Sequence, residues 1–177
     1  MVKTLVCIIA QTRSHEVTWK NFEKNVLKEL NADLALCIGL TKKYNFENPF
    51  WKNAKYKWTI EDFGDDYSKG FDLAQQKIFE NSKEKKEDWR ILLDIKDFWL
   101  GGIKGYTSGD KSHLSSFPNW KKDRVGSSSI LIFYRWLLLQ NLEENNLINK
   151  YDRFIITRSD YFWPIKHPPI DKMKEEY

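Results

Sequence analysis

The first forty residues constrain the fold of this chain most strongly, because two continuous apolar runs flank an amphipathic segment. The runs are 3-KTLVCIIA-10 and 33-DLALCIGL-40. Unbroken apolar runs of this length are typical of strands that are buried on both faces, as in parallel sheets. Between them, 19-WKNFEKNVLKEL-30 repeats apolar residues at helical spacing, with Thr18 as the predicted N-cap and Asn31 as the residue that ends the helix. The sequence therefore predicts a strand–helix–strand unit.

The rest of the chain continues the alternation of strands and helices. An alternating segment at 55–60 predicts an edge strand, an apolar segment at 152–157 predicts a late strand, and the glycine-rich stretch 101–126 predicts a long loop. Helices are expected at three places: 70–81, 88–99 and 128–145. This order indicates an α/β fold, with a single mostly parallel central sheet flanked by helices. A length of 177 residues favours one domain, residues 1–177.

The net charge and the cysteines indicate which ligands and which cellular location suit this chain. Twenty-nine basic and 25 acidic residues leave a net charge of +4, which suits an anionic small molecule better than nucleic acid, since nucleic acid requires a concentrated basic face. Cys7 and Cys37 lie inside apolar runs without zinc-site spacing, and reduced buried thiols favour a cytoplasmic protein. The apolar N-terminus is interpreted as a strand and not as a signal peptide. No membrane span is predicted, because Arg135 interrupts the richest apolar run, 130–139.

Polar residues follow the first and the late predicted strands. These are 10-AQTRSHE-16 and 157-TRSD-160. Ligands of open α/β sheets bind beyond the carboxyl ends of the strands. If the first and the late strand are both central and parallel, we expect Arg13 and Asp160 to lie in one pocket. A carboxylate there suits Mg²⁺ or Mn²⁺, and an arginine suits a phosphate. The alternative is that Arg158 and Asp160 form a surface ion pair that closes a turn.

These segments resemble the nucleotide-sugar-binding half of a GT-A glycosyltransferase. The segment 5-LVCIIAQTRSHEVTWKNFEKNVL-27 is similar to the opening of several GT-A-like families, in which a strand leads into a Gln-x-Arg loop and a helix with a Trp/Tyr-x-x-Phe/Leu pattern. Residues 126–160 resemble their middle section, with a long helix, a short loop, Tyr-Asp, an apolar strand and Arg-x-Asp. The tripeptide Arg158-Ser159-Asp160 stands where most GT-A enzymes carry Asp-x-Asp.

The resemblance implies a GT-A-like, metal-dependent glycosyltransferase of polysaccharide biosynthesis. It would use a nucleotide-diphosphate sugar, UDP by family habit, a glycan or glycoprotein acceptor, and Mn²⁺ or Mg²⁺ held by Asp160. The residues expected to contact the nucleotide sugar are Gln11, Thr12, Arg13, Arg135, Arg158, Ser159 and Asp160. Because Arg158 replaces a carboxylate, either Asp160 alone binds the metal with the diphosphate, or Arg158 partly replaces the metal's charge. The catalytic base is unassigned: only residues 161–177 follow the motif, so either the acceptor side is short or the chain is part of a longer protein.

Other residues compete for these roles. Arg135 is expected either to pair with Asp160 or Asp94 or to reach into the cleft towards a diphosphate. The acidic pairs Asp65-Asp66 and Asp94-Asp97 are alternative metal ligands, although acidic turn residues are more often solvated. Further candidates for ligand contact are His15, His113, His167, the helix start at Gly126-Ser127-Ser128, and the flexible segment 100-LGGIKG-105, whose Lys104 would close over a nucleotide sugar.

A second function class fits part of the sequence. The stretch 50-FWKNAKYKW-58 interleaves aromatic and basic residues. Such a surface would grip single-stranded nucleic acid by stacking and charge. The alternative to the enzyme is therefore a non-catalytic nucleic-acid-binding domain.

Overall fold

The described strands of this protein form one parallel sheet. The computed structural model describes residues 2–64, 66–80, 88–90, 128–169 and 173. Its strands are β1 Thr4–Ala10, β2 Asp33–Leu40, β3 Tyr56–Glu61 and β4 Arg153–Thr157. Their order in the sheet is β3-β2-β1-β4, and all three neighbouring pairs are parallel. The predicted α/β class with a parallel sheet is confirmed for the described residues.

The two central strands, β1 and β2, are buried on both faces, as their unbroken apolar sequences predict. Successive side chains of a strand point to opposite faces, yet Leu5, Val6, Cys7 and Ile8 are all fully buried. Cys37 is also fully buried, and burial raises the pKa of both thiols to about 12. Both cysteines therefore behave as small apolar core residues, as predicted.

The described helices differ from the prediction at the start of the first helix, at the short second helix and by two residues in the third helix. They are α1 His15–Phe22, which continues into a π-helix at Glu23–Lys28, and then α2 Pro49–Asn53, α3 Ser68–Phe79 and α4 Ser128–Glu144. Ser14, and not Thr18, is the N-cap of α1, because the helix begins one turn earlier than its apolar pattern. The short helix α2 lies within residues 41–54, where the polar and aromatic sequence with Pro49 predicts a loop. None of the described helices combines the length and apolarity that crossing a bilayer requires.

Part of the prediction falls on residues that the structure does not describe. Residues 91–99 of the helix predicted at 88–99 lie outside the described residues, and so does the loop predicted at 101–126. Asp65, His113 and the helix start at Gly126-Ser127 lie there too. These expectations stay predictions.

Helices α1 and α2 pack against one face of the sheet through aromatic side chains. Phe22 of α1 and Phe50 of α2 are buried with Val6, Ile8 and Leu36 of the strands. The rings of Phe22 and Phe50 lie 5.1 Å apart between centroids. Because α2 lies in the connection between β2 and β3, this contact positions the polar loop that follows β2.

The chain divides into two compact units. One contains residues 1–62 and 138–177, and therefore the sheet with α1 and α2; the other contains residues 63–137. Among the described residues of the second unit, the rings of Phe63, Tyr67 and Phe133 pack edge to face. The single domain expected over residues 1–177 stays a prediction.

Candidate functional site

The carboxyl ends of all four strands lie at one edge of the sheet, because every pair is parallel. We call the polar residues that follow β1, β2 and β4 the carboxyl edge: residues 11–15, 41–48 and 158–160. Open α/β sheets bind their ligands at this edge. The candidate site is therefore built from three loops that are far apart in sequence.

Ser159 joins the loop after β1 to the loop after β4. Its side chain is buried, and its Oγ lies 3.0 Å from the carbonyl oxygen of Gln11 and 3.1 Å from that of Arg13. The hydroxyl of Thr18, on α1, donates to the carbonyl oxygen of Ser159 at 2.6 Å. Ser159 thus joins the backbone of Gln11–Arg13 to the loop after β4. The expected common pocket of Arg13 and Asp160 stays a prediction, since the described cleft is lined by Arg13 but not by Asp160. The Ser159 hydroxyl is engaged with the chain itself and acts by holding the two loops side by side.

Arg158 and Asp160 form a bidentate ion pair. Nε of Arg158 donates to Oδ1 of Asp160 at 2.9 Å, and Nη2 donates to Oδ2 at 2.5 Å. The hydrogen bond to Asp160 raises the pKa of Arg158, and the ring of Tyr161 lies 5.6 Å from the guanidinium carbon. This geometry matches the alternative in which the two residues pair across a turn.

A chain of polar contacts orients Arg13. Its Nε donates to Oε1 of Gln11 at 2.5 Å, and Nε2 of Gln11 donates to Oδ2 of Asp62 at 2.7 Å. Asp62 directly follows β3, so this chain links the ends of β1 and β3. Arg13 is exposed and presents its guanidinium to solvent at the edge.

A cleft of about 170 Å³ lies between the loops after β1 and β2. Six of the residues that line it are Gln11, Thr12, Arg13, Lys43, Tyr44 and Asn48. The cleft is smaller than the roughly 300–1,000 Å³ of typical small-molecule pockets. It would therefore receive one ring of a larger ligand, whose remainder would extend over the surface near Arg13.

The floor of the cleft is fixed by hydrogen bonds. Nδ2 of the buried Asn48 donates to the carbonyl oxygen of Thr12 at 3.1 Å and lies 2.8 Å from its Oγ1. The hydroxyls of Thr12 and Tyr44 are 2.9 Å apart. Burial raises the pKa of Tyr44, and the hydrogen bond with Thr12 offsets part of this effect. Nδ1 of His15 lies 3.3 Å from Nδ2 of Asn48. A cleft held in this way needs little reordering when a ligand binds.

Sequence reasoning identified Gln11, Thr12 and Arg13 in this region but missed Lys43, Tyr44 and Asn48. A local signal was present, because Asn48-Pro49 is an N-cap followed by proline at the first helical position. The Oδ1 of Asn48 accepts from the amide of Phe50 at 2.9 Å and so caps α2.

A cluster of three aromatic rings meets the cleft at Tyr44, which lines it. The rings of Tyr44, Phe46 and Trp51 contact one another edge to face, with centroids 5.1–5.5 Å apart. Phe46 is 53% exposed. A flat ligand group could stack on this exposed ring.

Arg135 is not among the carboxyl-edge residues. It is an exposed residue of α4 and belongs to the unit of residues 63–137. Its predicted partner Asp94 lies outside the described residues, as do Asp97 and the segment 101–105. The proposed contact of Arg135 with a ligand stays a prediction.

Two other candidates take part in local structure. Asp66 accepts from the amide of Ser68 at the start of α3. The amide of His167 donates to the carbonyl oxygen of Asn25, and its ring lies against Trp163. Both have structural roles in the described chain.

The described residues fit a divalent cation poorly. Both carboxylate oxygens of Asp160 are bonded to Arg158, and Asp62 accepts from Gln11. Within the described ranges, no group of three or more His, Cys, Asp or Glu side chains could hold a metal ion. The metal dependence expected from the sequence stays a prediction.

Comparisons of the chain with protein-family models, curated protein sequences and solved structures find no match. The functional assignment therefore depends on the geometry of the carboxyl edge and on the residues that carry the sequence resemblance.

Proposed function

We propose that this chain is a GT-A-like glycosyltransferase domain that binds a nucleotide-diphosphate sugar at the carboxyl edge. UDP-sugar is the expected donor, and a glycan or glycoprotein is the expected acceptor. The observation that supports this most is the parallel pairing of β1 with β4, with Ser159 joining the loops that follow them. A cytoplasmic location belongs to the same proposal.

The cleft would receive the nucleoside part of the donor. Its walls combine the phenol of Tyr44 with the polar side chains of Thr12 and Asn48, which are fixed by their mutual hydrogen bonds. An aromatic wall with a few placed polar groups is typical of sites that orient a small organic ring. Specificity for one base would follow from this fixed polar pattern.

Arg13 would bind the diphosphate. Gln11 holds its Nε edge, and within the described chain its terminal nitrogen atoms have no other partner. These nitrogen atoms form a donor pair suited to phosphate oxygens. Positive charge at this position would stabilise the negative charge that develops on the nucleoside diphosphate as it leaves the sugar.

The nucleic-acid alternative has less support. In 50-FWKNAKYKW-58, Phe50 is a core residue, and the rings of Tyr56 and Trp58 stack on each other with centroids 5.8 Å apart. The amino group of Lys57 lies 5.6 Å from the ring centroid of Trp51. Most of these rings are engaged with the protein itself.

Nucleotide binding tests the proposal directly. The protein would be heated with UDP, GDP, CDP or ADP, and the affinity of any stabilising nucleotide would then be measured by calorimetry. At a ligand concentration of about 100 times Kd, we expect one nucleotide to stabilise the fold by about 2.7 kcal/mol. Release of that nucleoside diphosphate from its sugar conjugate would then show transferase or hydrolase activity.

A matched pair of variants locates the site. Arg13→Ala is expected to weaken nucleotide binding by about tenfold or more, the equivalent of about 1.4 kcal/mol for a lost charged contact. Lys20→Ala removes the same charge at an exposed position on α1 and should leave the affinity unchanged. If no nucleotide stabilises the protein, and oligonucleotides bind it in a salt-sensitive manner instead, the nucleic-acid alternative is correct.

A further inference from the structure

The pairing of Arg158 with Asp160 decides how the carboxyl edge can neutralise a diphosphate. Both oxygens of the carboxylate accept hydrogen bonds from the same guanidinium, at 2.9 and 2.5 Å. A bidentate arginine–carboxylate pair is among the strong charged contacts in proteins. A divalent cation at Asp160 would have to displace this guanidinium or lie next to its positive charge.

We propose that the site binds its nucleotide diphosphate without a divalent cation, and that Arg158, positioned by Asp160, stands in the place of the metal. This inference rests on the proposed nucleotide-sugar site. It assigns Asp160 the role of a positioning residue and not that of a metal ligand.

The guanidinium of Arg158 is fixed in position and is partly accessible to an anion. Nε and Nη2 are bonded to Asp160, and the ring of Tyr161 lies 5.6 Å from the guanidinium carbon. The side chain of Arg158 is 31% exposed, so solvent reaches part of it. Since Asp160 engages one edge of the planar fork, the two N–H groups of Nη1 and the second N–H of Nη2 are available to phosphate oxygens.

The net positive charge comes from neighbouring residues. The Arg158–Asp160 pair is neutral as a whole, so it contributes directed N–H donors more than charge. Arg13 and Lys43 line the cleft of the same edge, and both are exposed. Together these cations would balance the charge of a diphosphate, which in metal-dependent sites is balanced by the cation.

The decisive measurement is the affinity for UDP, GDP, CDP and ADP, determined by calorimetry in buffer with EDTA and again with Mn²⁺ or Mg²⁺. We expect one nucleotide to bind in EDTA with a Kd within about threefold of its value with metal, a difference of less than about 0.7 kcal/mol. Binding that requires metal, or that tightens by about tenfold or more with metal, overturns the inference and leaves the nucleotide site standing. No binding under either condition overturns both the site and the inference.

Variants of the pair test the role of Arg158. Arg158→Ala is expected to lose about tenfold or more of its nucleotide affinity in EDTA. Mn²⁺ should restore part of that affinity, because Asp160 is then free to bind it. Lys166→Ala is the control, since it removes one cation from a different exposed ion pair, with Glu29 at 2.7 Å. Unchanged binding by Arg158→Ala in EDTA overturns the inference.

A conservative variant separates positioning from folding. Arg158→Lys keeps the charge but loses the planar fork, so we expect an affinity between those of the wild type and Arg158→Ala. Melting temperatures without nucleotide identify any variant that fails to fold. If Arg158→Lys is folded and binds as tightly as the wild type, the planar fork positioned by Asp160 is not needed for binding, and the inference is wrong.

Discussion

The side-chain oxygen of Ser159 lies 3.0 Å from the carbonyl oxygen of Gln11, although 148 positions separate the two residues in the chain. This contact holds the end of β4 against the end of β1. It also explains the tripeptide Arg158-Ser159-Asp160: the two outer residues pair with each other, while the middle residue anchors the loop.

Replacing Ser159 by alanine tests this anchor. Ser159→Ala would remove the donor to two loop carbonyls, so we expect the free energy of unfolding in urea to fall by about 1–3 kcal/mol. Nucleotide affinity should fall with it, because the two loops separate. Ser68→Ala is the control, since its hydroxyl has no hydrogen-bond partner in the described chain, and it should change stability by less than about 0.5 kcal/mol. Equal effects of the two variants would argue against an anchoring role.

Asn48 both caps α2 and supports the floor of the cleft. Asn48→Ala would remove the cap and leave the buried groups of Thr12 without their donor, so we expect a loss of about 2–4 kcal/mol in urea unfolding. Asn48→Asp keeps the cap acceptor but loses the donor, and should also be destabilising. Lys42→Ala, at an exposed position of the same loop, is the control. A stable Asn48→Asp variant would show that the donated hydrogen bonds contribute little.

Asp33 makes stability depend on pH. Burial by itself would raise the pKa of Asp33, but hydrogen bonds from Lys55 and Tyr151 together outweigh burial and lower the pKa below its ordinary value of 3.8. The ionised form therefore contributes stability above that ordinary value, and this contribution is lost as the pH falls through the lower folded-state pKa. Asp33 is 39% exposed, so solvent screening limits its contribution to about 0.5–1 kcal/mol.

The variant Asp33→Asn checks this pH dependence. We expect it to be less stable than the wild type at about pH 7, and we expect the difference to shrink at about pH 3, as measured by urea unfolding. Glu144→Gln makes the same change of charge at an exposed position of α4 and should show no such convergence. A difference that is constant with pH would mean that ionisation of Asp33 is not the cause.

Gly70 allows two aromatic rings to approach α3. A Cβ atom at this position would lie 3.0 Å from ring atoms of both Phe63 and Phe133. Gly70→Ala is therefore expected to lower stability, because overpacking costs about 1–3 kcal/mol and alanine recovers only about 0.5–1 kcal/mol in helix propensity. Lys69→Ala, at the exposed neighbouring position, is the control for urea unfolding. A more stable Gly70→Ala variant would mean that the rings move aside at little cost.

The strands were predictable because burial on both faces leaves a continuous apolar run in the sequence. The runs at 3–10 and 33–40 correspond to β1 and β2 almost residue for residue. The edge strand predicted at 55–60 is β3, shifted by one residue. The long helix predicted at 128–145 is α4, because a strongly apolar segment of that length has few alternatives.

The misassigned residues have partners that are distant in the chain. Thr18 resembles an N-cap, but its hydroxyl binds the carbonyl oxygen of Ser159. The π-helix was not predicted, because its sequence shows no distinct local pattern. Within it, the carbonyl oxygen of Asn25 accepts a hydrogen bond from the amide of His167 at 2.7 Å. A local pattern carries no information about such a partner.

The sequence by itself determined the parallel α/β sheet, the two buried cysteines and the polar tripeptide after the late strand, because each depends on apolar burial or on neighbouring residues. Only the tertiary structure decided that β4 lies beside β1, that Asn48 and Tyr44 complete the cleft with Thr12, and that Asp160 is bound to Arg158. The first two features depend on which strands and loops lie side by side in the folded chain. The third depends on which group binds the carboxylate of Asp160. All three are settled by packing the whole chain and not by the order of its residues.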